Sequence, residues 1–333
     1  LTASLVDIPD ATLSADWAYL CREIKSDLLT DPQVTLNALQ SVLASLEKAD
    51  NARMYMISNS ADRKAAMEKL VALVSKLDRV GRSARQSYAE TPRVINRLKE
   101  REQLSDKPLY VGLVNDNTRN GVIIFSSKIA DVYDTSYESV LNLLAGKFYS
   151  GGGGHSFFMK TWGAGLAYSN GVSCSERSGR VGYYAERCPD IAETMRFVVN
   201  LLKAPEDNPH IAEYCIAQVF NGSRAASTYE SRGMAMAADL ADGYTPERIR
   251  KFREKVLELR NDPELFAKLK ARLDNVYGPV LVGYGIPSGD APDGSFFILG
   301  PEPQFESMEN LVRASEGAHK IYRLYPRDFW LMI

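Results

Sequence analysis

The chain has 333 residues, 45% hydrophobic and 25% charged, which is too long for one small domain and apolar enough to build a sizeable core. Lys plus Arg number 40 against 42 for Asp plus Glu, so a formal net charge of −2 gives no electrostatic reason to expect nucleic acid or a membrane as partner. No window approaches about 18 consecutive apolar residues, and composition excludes disordered, collagen-like and disulfide-scaffold classes.

Residue 1 is Leu, and no basic start followed by an apolar run precedes the first helical pattern, so a processed or truncated product is expected. Residues from Asp16 to Ile24 open an amphipathic helix that ends before Asp31-Pro32. Thr35 to Leu46 repeats leucine at helical spacing (Leu36, Leu39, Leu43, Leu46), and Arg53 to Ser58 alternates like a short strand. Ser60 then supplies an N-cap for a helix through Leu77. Three apolar helix faces with one strand do not make a complete sheet domain. From Asp78 to Lys107 the chain is polar and reads as a connecting arm, or as an exposed helix plus loop.

Beyond the arm the pattern is regular. Strands are predicted at Leu109–Val114 and Gly121–Ser126, and a helix from Ser136 to Phe148. The tetraglycine 151–154 interrupts before His155. Gly165–Ser173 and Gly179–Glu186 form a predicted hairpin. A long helical region from Asp190 to Asn275 breaks at Pro205, Pro209, Gly243 and Pro263. Strands return at Val280–Tyr284 and Ser295–Gly300, followed by a helix from Phe305 to Glu316 and a strand over Lys320–Tyr325. This order predicts an α+β layered sandwich, a mostly antiparallel sheet with helices on one face.

Chemistry-bearing patterns are few. The three histidines, His155, His210 and His319, are too far apart for a helical ligand pair, and neither H-E-x-x-H nor H-x-x-E-H occurs. The tetraglycine lacks the Lys-Ser/Thr of a phosphate-binding loop and follows a helix, so it reads either as a turning loop or as an anion cradle. The four cysteines, Cys21, Cys174, Cys188 and Cys215, contain no C-x-x-C; they read as idle thiols, with a Cys174–Cys188 disulfide or a Cys188–His155 pair as the chemical alternatives.

One stretch says more. Phe157-Phe-Met-Lys-Thr-Trp-Gly-Ala-Gly-Leu-Ala-Tyr-Ser-Asn-Gly-Val, followed by Gly179-Arg-Val-Gly-Tyr-Tyr-Ala-Glu-Arg-Cys-Pro-Asp, resembles the C-terminal half of pitrilysin/insulysin-type zinc peptidases, inverzincins of the presequence-protease-like kind. The order of elements from Leu109 to Pro326-Arg-Asp-Phe-Trp fits as well. The resemblance implies metallopeptidase-half domains, related to the ferredoxin-like fold. Residues 1–80 would be the C-terminal part of a preceding α+β domain, 81–107 a linker arm, and 108–333 a complete C-terminal α+β domain. It further implies that this half holds no metal and no catalytic residue. Zinc would sit in a partner N-terminal half, fused or separate, while this half closes a chamber around unfolded peptide, with hinge motion between the two. Family members place an Arg and a Tyr of this half against substrate. Tyr168 matches the Tyr; Thr161 and Trp162 stand where the Arg is expected, and Lys160 offers a nearby charge. The implied peptide-binding set is therefore Tyr168, Lys160, Gly165, Leu166 and Ala167, with peptide pairing to the strand near Gly165 and glycines permitting close approach. The alternative expectation is a catalytically inert relative acting as an assembly or scaffold subunit.

Overall fold

A computed structural model of the chain describes residues 8–49, 54–77, 93–104, 109–223, 228–282, 284, 294–316 and 320–329. Helices α1 (Leu13–Leu28), α2 (Pro32–Leu46), α3 (Ser60–Val74) and α4 (Arg93–Arg101) precede strands β1 (Leu109–Val114) and β2 (Gly121–Lys128). Then follow α5 (Tyr137–Gly146), α6 (Phe157–Gly163), β3 (Ser169–Ser175), β4 (Arg180–Cys188), α7 (Ile191–Lys203) and α8 (His210–Ser223). The chain continues through α9 (Tyr229–Ala241), α10 (Pro246–Glu258), α11 (Leu265–Tyr277), β5 (Ser295–Gly300), α12 (Glu302–Glu316), β6 (Ile321–Leu324) and α13 (Pro326–Phe329).

Helix starts are written locally. Asp31 accepts the Gln33 N–H ahead of Pro32, Asn59 accepts from Asp62 N–H, and Ser136, Ser156, Asp190 and Thr245 each accept the backbone N–H three residues on. The helical region breaks at Pro205, Pro209, Gly243 and Pro263 as expected from the missing proline donors and a glycine at φ +86.

The six strands form one sheet in the order β3-β4-β2-β5-β1-β6. β3–β4, β4–β2 and β2–β5 run antiparallel, whereas β5–β1 and β1–β6 run parallel. This is the mostly antiparallel α+β sheet the sequence predicts. Alternation sends Tyr110, Ile123, Phe125, Val181, Tyr183, Phe296 and Ile298 to one face, where α5, α7, α8, α11 and α12 contribute to a single core. The Tyr110 and Phe296 rings stack at 4.5 Å, and Phe125 meets Phe296 edge-on at 5.1 Å. Gly112 lies under the Phe305 ring, and a Cβ there would come within 2.3 Å of it. The fully buried Tyr277 donates to the Gly146 carbonyl at 2.9 Å, tying α11 to the end of α5.

The second face is covered only at one end. Leu98 of α4 packs on Tyr322 and Leu324 beside β1 and β6, so part of the expected arm is a docked helix; residues 81–92 and 105–107 of it lie outside the described set. Toward β2, β4 and β3 no buried cluster forms on this face among the described residues, and Ile124 is 50% exposed. β3 is the outer strand at that end.

Two expected strands do not form. Met54 to Ser58 have no ladder partner, and Ile57 instead abuts α9 at Gly233, where a Cβ would meet its Cδ1 at 2.1 Å; Arg53 lies outside the described residues. Val280 closes a short 3₁₀ turn that begins at Gly278-Pro279, and Val280, Leu281 and Val282 are all fully buried. A continuous apolar run shows burial without showing its period, and the proline-led turn decides against a strand. β3 also starts four residues later than Gly165, because Gly165 at φ +72 and the Leu166 N–H bonded to the Thr161 carbonyl still close α6.

Candidate functional site

The site is built by an irregularity in β4. Gly121 of β2 pairs with Cys188 and Ile123 with Ala185, so Glu186 and Arg187 together oppose Val122. The extra residue makes a β-bulge, and Arg187 takes φ +54. A non-glycine in the left-handed region costs about 1–2 kcal/mol. On the other side of β4, Ser169 pairs with Glu186, and the Tyr168 N–H donates to the Glu186 carbonyl at 3.2 Å. Tyr168 is thereby held at the start of the outer strand with its side chain in solvent, 65% exposed. The bulge aims Arg187 at it, placing the guanidinium carbon 4.7 Å from the centre of the phenol ring. Among the described residues this ring is the one side-chain partner of Arg187, which is exposed.

The remaining expected residues fall elsewhere. Lys160 lies on α6 and pairs with Glu206 at 3.5 Å, between α7 and α8. Gly165 serves the turn that closes α6. Leu166 is half-buried, and its carbonyl accepts from the Thr194 hydroxyl at 3.0 Å. Ala167 is buried in the core. The structure thus joins Tyr168 to Arg187 and does not bring Lys160 to them. Arg187 is the residue that sequence reading missed: an arginine followed by Cys188-Pro189 carries no mark of a bulge or of positive φ.

The other chemical alternatives resolve into packing. Cys174 pairs with Val181, seven residues along β4 from Cys188, which puts the two sulfurs about 23 Å apart at strand rise, and both are free thiols. Burial pushes the Cys174 thiol up to about 12 and Cys188 up to about 11. His155 does not pair with Cys188; its ring packs edge-on to Tyr214 at 4.7 Å, and burial lowers its pKa. The tetraglycine turns at Gly151, φ +81, and His155 folds back over Gly153, which fits a turning loop rather than a cradle.

Among the described residues no three His, Cys, Asp or Glu side chains converge on a point, and His210 is exposed on α8. His319 lies outside the described residues. No described helix is long and apolar enough to cross a membrane.

No protein-family model and no curated protein matches the sequence. Solved structures similar to it include a protease from Helicobacter pylori, 13% identical, with TM-score 0.46, covering 73% of this chain and 53% of that one. A peptidase M16 inactive domain from Pseudomonas fluorescens is 14% identical, with TM-score 0.43, covering 73% of this chain and 51% of the other. The first half of the periplasmic protease PqqL from Escherichia coli is 10% identical, with TM-score 0.42, covering 80% and 56%. The chain therefore spans about half the length of these structures.

Proposed function

We propose that the chain is the non-catalytic C-terminal portion of a zinc metalloendopeptidase of the pitrilysin/insulysin type, binding extended peptide and closing the chamber in which a zinc-bearing N-terminal half hydrolyses it. The residues from Phe157 to Asp190 that carry the resemblance fold into α6, β3 and β4, the elements that present Tyr168 and Arg187. Their pairing beside the outer strand is the observation that carries the reading. A peptide laid along β3 would find backbone donors and acceptors on the strand edge, a phenol hydroxyl able to donate to a carbonyl, and a guanidinium able to donate twice. Stacking against the ring pre-orients that guanidinium, so less rotamer freedom is lost on binding. Zinc in the partner half would supply the Lewis acid and the activated water.

The test is a titration of the purified chain into a fluorescein-labelled unfolded peptide, read by anisotropy. Saturable binding is expected, weakened about fivefold by Tyr168→Ala, as the loss of one net hydrogen bond implies. No binding, or hydrolysis by the chain alone that a chelator stops, would refute the reading.

A second reading, an inert assembly subunit, draws on α2 and α3. Neither helix has a buried residue, and both expose apolar side chains such as Leu39, Leu46, Val71 and Leu73. With the zinc half added, unchanged peptide turnover in Tyr168→Ala alongside intact complex formation would favour this role.

A further inference from the structure

A cavity of about 330 Å³ opens between the end of α8, the inner side of α9, the start of α10 and the turn that joins β3 to β4. That volume lies at the lower end of small-ligand sites. Its wall is divided by chemistry. Met236, Leu240, Tyr244 and Ile249 give an apolar side, while Arg177, Arg232, Arg253 and Asp239 give a charged one.

The charged side is unbalanced. Arg177 is ion-paired with Asp239, which is 9% exposed. Arg253 donates one N–H to the Ser223 carbonyl at the end of α8, and no carboxylate reaches it among the described residues. Hydrogen bonds from a cation to an anion are the strong kind. The floor is rigid: Tyr133, buried and held at φ +49, packs edge-on against Tyr244 at 5.4 Å and Phe252 at 5.6 Å. The roof is loose, for Asp239 is the one buried residue of α9.

From this arrangement we infer that the cavity is a binding site for a small amphipathic carboxylate, its anionic head on Arg253 and its short apolar body along Met236, Leu240 and Ile249. The ligand brings a negative charge to a wall where arginines outnumber carboxylates and completes the packing of α9 on α10. This site does not depend on the peptide reading.

Octanoate is the probe and octanamide its uncharged counterpart, each titrated into the full chain by calorimetry, with thermal midpoints recorded for every variant. Octanoate should bind saturably and raise the midpoint, with octanamide at least about tenfold weaker, since the amide cannot offer a charged acceptor. Arg253→Met should weaken octanoate by about tenfold for the same reason. Because that change also removes the contact with Ser223, Ala235→Leu provides a second variant that narrows the cavity and leaves every arginine in place. Loss of octanoate binding in Ala235→Leu at an unchanged midpoint is the expected result. Equal affinity for octanoate and octanamide, no binding of octanoate, or full binding by Ala235→Leu would overturn the proposal.

Discussion

Arg187 concentrates the argument at the scale of single residues. Its left-handed backbone is one that glycine adopts without cost, so Arg187→Gly should leave the thermal midpoint unchanged or raise it, the relief being on the order of 1 kcal/mol. The same change should weaken peptide binding about tenfold, because it deletes a charged donor. A residue kept only for folding would behave the opposite way, and a lower midpoint with unaltered binding would contradict its assignment. His155 makes a separate prediction. Burial lowers its pKa in the folded state, so its contribution to stability is present above the ordinary value of 6.5 and is lost as pH falls through the lowered one. Denaturant midpoints should drop between pH 7.5 and 5, and His155→Gln should flatten that part of the profile. An unchanged slope would show that other groups control it. Tyr168 was singled out in the sequence because its surroundings carry a family pattern, whereas its contact with Arg187 was not foreseen. That contact comes from a register shift between β2 and β4, which depends on pairing across the sheet and leaves no local trace.

At the scale of elements, strands whose two faces differ were legible and uniformly buried runs were not. β1 alternates half-buried and buried positions along its length, and β5 follows the same rule after its exposed first residue, which is the period that alternation in sequence reports. Val280, Leu281 and Val282 are all buried, so their hydrophobicity carries no period and a turn was read as a strand. The helix on the sheet imposes its own requirement at Gly112. Gly112→Ala would press a methyl into the Phe305 ring and the Ile298 carbonyl, 2.8 Å away, and should cost about 1–3 kcal/mol by overpacking. Chemical denaturation checks this value; a neutral outcome would mean that α12 shifts freely on the sheet. The hairpin cysteines give a matching check on packing. Only Cys21 is exposed, so a thiol reagent at pH 8 should modify one cysteine in the folded chain and all four after unfolding.

The described residues divide into a sheet packed on one face and a thinly packed N-terminal helical region. The main core joins all six strands to the helices between them, whereas α2 and α3 leave leucines and valines in solvent. Such faces predict concentration-dependent self-association of the isolated chain. Leu39→Asp with Leu46→Asp should remove it in sedimentation velocity without lowering the thermal midpoint, both side chains being more than 60% exposed. The helical repeat of this region was visible in sequence. That no described element buries these helices was visible only as the imbalance of three helices against one strand, and Met54 to Ser58 form no strand. Function at this scale rests on where peptide lies, and hydrogen exchange of the chain with and without an unfolded peptide tests it most directly. The account predicts new protection along residues 168–175 and at 186–187, the outer strand and the bulge beside it. Protection confined to α2 and α3, with the outer strand unaffected, would contradict it.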